Sequence, residues 1–155
     1  ERCGVFTVFI ASEPLAGKRL TKVTEQKTKS DWAEFIRELA DHYEKAKKIT
    51  RVMDNVITHK AGSIYETFSP EDAKRIPDRF EFVYTPKHGS WLNMAEIELN
   101  VLTRQCLNRR IECLGQAQAA VSAWQIHRDN LNAKVCWQFT ARDARVKLRR
   151  LYPTL

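Results

Sequence analysis

Two acidic positions in this chain could hold a divalent cation, and several basic positions could hold phosphate. Asp54 ends a short apolar run, Ile49, Val52 and Met53, and is followed at once by Asn55. A carboxylate at the carboxyl end of a strand is a common hard-oxygen ligand, because open α/β sheets gather their ligands at that edge. An Asp-Asn pair is also a common turn, and these two residues taken alone favour the turn. Glu96 and Glu98 are the second acidic candidates. At ~100° per residue, the stripe of Leu92, Ala95, Leu99, Leu102 and Cys106 centres near Ala95 and Leu99, with the two glutamates on opposite borders. Periodicity does not choose between them, and a border glutamate is ordinarily a solvated flank residue.

Weaker candidates surround these acids. His59, five positions after Asp54, suits orienting a phosphate or a metal-bound water, or equally a structural loop hydrogen bond. Asn55 either donates to a cation-binding carboxylate or closes a turn. Lys87, His88 and Trp91 mix basic and aromatic character in a loop leading to Glu96, which suits contact with a nucleic acid or the packing of Trp91 into the core. Arg104, Arg109, Arg110, Arg142, Arg145, Lys147, Arg149 and Arg150 are candidate phosphate contacts that position a nucleic acid without reading its sequence. For any single arginine a solvated helix face is the plainer reading; for the group it is not.

The elements that must position these residues follow from pattern. The 155 residues carry 26 Lys+Arg against 19 Asp+Glu, a net charge of +7, which points to a polyanionic partner. Hydrophobic residues make up 43% and aromatic residues 10%, enough for a core and against a disordered chain. The longest apolar run, Val5 to Ala11, is far short of the ~20 residues of a membrane helix and makes a poor signal peptide, so it is expected to be a strand. Cys3, Cys106, Cys113 and Cys136 form no CxxC and no zinc spacing, and are expected as reduced thiols of a cytosolic protein. Glu1 in place of a starting Met implies processing or a start within a longer reading frame.

Gly4 to Ile10 is expected as a strand, ended by Glu13-Pro14-Leu15-Ala16-Gly17, with Arg19 to Glu25 pairing back as a hairpin. Ser30 is the expected cap of an amphipathic helix from Asp31 to Ala46. Ile49 to Met53 and Phe80 to Tyr84 are expected strands, separated by short helices at Ser63 to Phe68 and after Ser69-Pro70. Helices are expected over Trp91 to Leu107, Gln116 to His127, and 141–151, the last strongly basic. Trp32, Trp124 and Trp137 are expected in the core. With no repeats or linkers, residues 1–155 are assigned to one α/β domain.

Three runs together resemble a family. They are Val52-Met53-Asp54-Asn55 with Thr58-His59-Lys60, then Tyr84-Thr85-Pro86-Lys87-His88-Gly89-Ser90-Trp91-Leu92-Asn93-Met94-Ala95-Glu96, and the closing Trp137-Gln138-Phe139 to Leu148 with Leu151-Tyr152-Pro153. In this order they resemble the catalytic half of bacterial insertion-sequence transposases of the mariner-related group. The resemblance implies a ribonuclease-H-like mixed sheet flanked by helices, with three acids holding two Mg²⁺ or Mn²⁺ ions. Motif against motif, Asp54 takes the place of the second acid and Glu96 that of the third. It further implies cleavage and strand transfer of DNA, with element ends and target DNA as partners, and a cytoplasmic, nucleoid-associated location. A homodimer or a full-length transposase is an implied protein partner; no membrane or small-molecule cofactor is implied.

The departure is at the amino-terminal side. In that family the first acid lies on a central strand upstream of the segment that 1–10 resembles, and no residue here fills it. Glu13 falls at a hairpin turn and is a weak substitute. The segment that binds terminal repeats is also missing. The expected sheet lacks the strand between the Gly4 to Ile10 strand and the Ile49 to Met53 strand. If the chain is complete, the expectation is that it folds poorly, rearranges or requires that strand from another polypeptide; the rival reading is an inactive truncated remnant that at most binds DNA or a full-length partner. Another ribonuclease-H-like nuclease, acting on RNA or DNA without integration, is the remaining alternative.

Overall fold

The structure, a computed structural model, describes residues 4–54, 62–85, 94–147 and 149. β1 (Thr7–Glu13) and β2 (Lys18–Thr24) form an antiparallel hairpin in which Thr7 faces Thr24 and Glu13 faces Lys18. β1 runs three residues beyond the expected end at Ile10, so Glu13 closes the strand instead of lying in the turn. It accepts from the Tyr43 hydroxyl, and its carbonyl accepts from the Gly17 amide. Gly17 has φ +66° in the turn, and a Cβ there would lie 2.7 Å from the Asn132 carbonyl carbon, so this position requires glycine.

α1 (Lys29–His42) starts two residues before the expected site. Thr28 is its cap: the Asp31 amide donates to the Thr28 hydroxyl and the Thr28 amide to the Asp31 carboxylate, a reciprocal capping box. It ends short of Ala46 because a distant side chain takes its last carbonyls. Arg79 donates to the carbonyls of Ala40, Tyr43, Glu44 and Ala46 at 2.6–3.1 Å, which satisfies groups a helix end leaves orphaned. β3 (Ile49–Met53) and β4 (Phe80–Tyr84) pair in parallel, Ile49 against Phe80 and Met53 against Tyr84, joined through α2 (Gly62–Thr67) and α3 (Pro70–Asp78). α4 (Ala95–Leu102) continues into a π-helical turn, Thr103–Leu107, followed by α5 (Leu114–Asn130) and α6 (Ala141–Lys147).

Alternation along β1 divides the core into two layers. Phe9 packs with Trp32, Phe35 and Ile36 of α1, and with Met53, Ile64, Ile76 and Phe80. Ile10 packs on the opposite face with Val23, Leu102, Cys106, Ala117, Val121 and Trp124. The hairpin is therefore covered on both faces by helices, and each fully buried large apolar side chain contributes about 1.5–3 kcal/mol. Trp32 and Trp124 are buried as expected, whereas Trp137 is half-buried, edge-on to Phe139 and outside both clusters. The expected single sheet is, among the described residues, two two-stranded sheets, β1-β2 and β3-β4.

Candidate functional site

A cavity of about 670 Å³ is lined by the whole of β1 and the whole of β3, and also by Asp54, Met94, Ala95 and Leu99. Asp54 follows β3 directly. The Thr85 amide donates to the Met53 carbonyl at 2.9 Å, so the parallel ladder runs up to the residue before the carboxylate. Asp54 is half-buried. Glu96 is exposed in the first turn of α4, next in sequence to the cavity-lining Ala95.

Glu98, two residues on, is fully buried, which departs from the solvated flank expected of a border glutamate. Its carboxylate accepts from Arg19 Nε at 2.8 Å, Arg19 Nη2 at 2.9 Å and Arg128 Nη2 at 3.2 Å. Arg19 also donates to Asp129 Oδ1 at 3.0 Å and to the Ala133 carbonyl, and both arginines lie within 6 Å of the Trp124 ring centroid. This network ties β2, α4 and α5 together. Burial works to raise the Glu98 pKa, but the hydrogen bonds and charges of Arg19 and Arg128 outweigh it and hold the carboxyl below its ordinary range. The Arg19 guanidinium is held above its own by the same carboxylate.

The buried row of this helix is thus Glu98, Leu102 and Cys106, not a stripe centred on Ala95 and Leu99. Leu99 is 37% exposed. Sequence reasoning missed Arg19 and Arg128, and with them the burial of Glu98, which it had weighed only as a border candidate. The available signal was that Arg19 is in phase with Val23 on β2, and that Glu98 precedes two apolar residues at spacings of four. It also missed Arg51, on β3, whose guanidinium lies 5.5 Å from the Phe35 ring centroid and whose Nη1 is buried. Among the described residues that nitrogen has no hydrogen-bond partner, and burial pushes the Arg51 pKa down to about 10.

Arg104, Arg109, Arg110, Arg142, Arg145, Lys147 and Arg149 are all exposed. Asp143, the acid within the basic α6, caps that helix: its carboxylate accepts from the Thr140 amide at 2.8 Å. Asn55, His59, Lys87, His88, Trp91 and Arg150 lie outside the described residues, as does Cys3. Cys106, Cys113 and Cys136 are free thiols. Among the described residues, no three His, Cys, Asp or Glu side chains are grouped closely enough to hold a metal ion. Asp54 and Glu96 offer the hard oxygens that Mg²⁺ and Mn²⁺ take, but two carboxylates do not complete a two-ion centre.

Residues 1–118, from β1 into α5 and including both acids, match the DDE superfamily endonucleases. The chain belongs to that family. No curated protein and no solved structure matches it. The mixed α/β architecture is consistent with a DDE endonuclease domain, and endonucleases of this superfamily act on DNA and generally use divalent metal ions. Among the described residues no helix is long and apolar enough to cross a membrane. α6 and its arginines lie beyond the matched segment.

Proposed function

We propose that this DDE endonuclease is the catalytic domain of a transposase of the mariner-related, bacterial insertion-sequence type. It cleaves phosphodiester bonds at element ends and joins them to target DNA with divalent metal ions. Asp54 and Glu96 are two of its ligands, and the third is the acid that the family carries on a central strand. The observation that carries this reading is the family match over the segment holding both acids, with Asp54 and the α4 residues beside Glu96 lining one cavity. The burial of Glu98 in ion pairs leaves Glu96 as the exposed carboxylate of the pair, which supports the role given to it.

In this reading the fold is ribonuclease-H-like, with β1-β2 and β3-β4 as two halves of one sheet. The cavity between β1 and β3 is then the place of that central strand. Asn55, His59 and His88 position substrate or metal-bound water. Lys87, Trp91 and the basic residues of 104–110 and 142–150 hold DNA phosphates at a bacterial nucleoid. In a form that includes the central strand, Mg²⁺-dependent cleavage of element-end duplex is expected to disappear in Asp54→Ala and in Glu96→Ala. Unchanged cleavage in Glu96→Ala refutes the assignment. The 155 residues alone are expected to cleave nothing, and robust activity from them contradicts the need for a third acid.

A further inference from the structure

Glu96 and Glu98 lie ~200° apart around α4 at ~100° per residue, so they face opposite sides of the helix. Glu96 flanks the side on which Ala95 and Leu99 line the cavity with Asp54, whereas Glu98 is buried on the packed side with Leu102. Helix α4 has eight residues, its cap Met94 makes no side-chain cap bond, and Glu98 is the one buried residue from Met94 to Val101. A helix this short is marginal on its own, so its rotation is set by what holds it. Two arginines from two other elements do so. Arg19 of β2 grips both Glu98 oxygens in a fork, at 2.8 and 2.9 Å, and Arg128 of α5 donates to one of them at 3.2 Å. Arg19 is itself fixed, because all five of its N–H donors are engaged: the other three go to the Gly17 carbonyl and Asp129 Oδ1, each at 3.0 Å, and to the Ala133 carbonyl. Arg128, Asp129 and Ala133 lie beyond the segment 1–118 that matches the family.

We propose that Glu98 is a positioning residue: held in the Arg19 fork, it fixes the rotation of the first turn of α4 and so aims the Glu96 carboxylate. The inference rests on the reading of Glu96 as a metal ligand and adds what holds that ligand in place. For a helix about 5–6 Å in radius with its side chains, a turn of about 20° about the axis displaces a carboxylate by about 2 Å. Metal–ligand distances tolerate about 0.2 Å. Apolar packing would keep α4 in the domain as firmly, since apolar residues of similar volume often replace a buried ion pair at no cost. What apolar contact lacks is direction: it is indifferent to rotation, whereas two parallel hydrogen bonds to a planar carboxylate admit one orientation. The fork therefore acts on the aim of Glu96 more than on the stability of the domain.

The test uses the form that includes the central strand, with Mn²⁺ alone as the probe and no DNA. Free Mn²⁺ is followed by electron paramagnetic resonance, beside thermal melting. Glu96→Ala is expected to weaken Mn²⁺ binding, which checks the underlying reading. The double variant Arg19→Met, Glu98→Leu leaves the net charge unchanged and is expected to melt close to the parent. It is nevertheless expected to bind Mn²⁺ at least about tenfold more weakly, the loss typical when the groups that orient a metal ligand are removed. Arg19→Lys keeps the charge but offers no fork, and is also expected to weaken binding at a temperature where melting curves show it folded. A double variant that both melts and binds Mn²⁺ like the parent overturns the proposal and leaves Glu96 a ligand held by packing. Where the double variant melts too low to compare, parental affinity in Arg19→Lys overturns it equally. Unchanged binding in Glu96→Ala overturns the reading of Glu96 itself, and the proposal with it.

Discussion

Replacing Glu98 by alanine leaves the Arg19 guanidinium, whose side chain is 1% exposed, without its carboxylate in the interior. Arg19 keeps Asp129 and two carbonyls, but it loses two hydrogen bonds of 2.8 and 2.9 Å and the only fully buried counter-charge among the described residues. Removing one partner of a buried pair costs about 3–5 kcal/mol, because the survivor's charge stays desolvated. At ~3 °C per kcal/mol for a chain of this size, the middle of that range lowers the melting temperature by roughly 12 °C. Glu96→Ala, two residues away and exposed, is expected to change stability by no more than about 0.5 kcal/mol. Thermal unfolding followed by circular dichroism, with urea titration alongside, measures both. The double variant Arg19→Met, Glu98→Leu is expected to recover most of the loss, since well-packed apolar replacements of buried ion pairs are often neutral. A Glu98→Ala melting temperature within about 3 °C of the parent refutes the reasoning, as does a Glu96→Ala loss of equal size.

Other outcomes follow from the same geometry. The Glu98 carboxyl is held below its ordinary value, so its stabilisation is fully present above about pH 4.3 and lost as pH falls through the lower folded value. Urea midpoints against pH are expected to fall more steeply on the acid side for the parent than for Glu98→Gln. Gly17→Ala must fit a Cβ 2.7 Å from the Asn132 backbone at φ +66°, and a cost of about 1–3 kcal/mol is expected in the urea midpoint. If the exposed arginines hold phosphates, the affinity for random duplex falls with salt at a log–log slope near −0.9 per phosphate neutralised. Arg104→Ala, Arg109→Ala and Arg110→Ala together are then expected to flatten the slope by about 2.7.

Most elements were legible because helices and strands are encoded by neighbours a few positions apart. Trp32, Phe35, Ile36 and Leu39 at helical spacing announce α1, and all four are buried. Their boundaries were less legible, since they depend on remote partners. α1 stops where Arg79, more than thirty residues later, collects its carbonyls. Its start lies at Thr28 because Asp31 completes a capping box, although Ser30 is as good a cap by residue type. The stripe on α4 was misplaced for a related reason. Periodicity assigns charged residues to solvent, and only the arrival of two arginines makes a buried Glu98 tolerable.

The order of side chains by itself carried the resemblance to the family: Asp54 after an apolar strand and Glu96 after the run from Pro86 to Trp91 are fixed by covalent succession, and any fold that keeps that succession keeps both acids. Local pattern likewise determined the α/β class, the four strands and the β1-β2 hairpin, whereas the parallel pairing of β3 with β4 came from the structure. Tertiary structure alone decided which glutamate is free, because Arg19 and Glu98 are 79 positions apart and meet only when β2 packs on α4. It alone showed two two-stranded sheets bordering one cavity, with Arg51 Nη1 buried on its wall. Charge neutralisation and edge pairing are long-range, so they are settled by which surfaces meet in space.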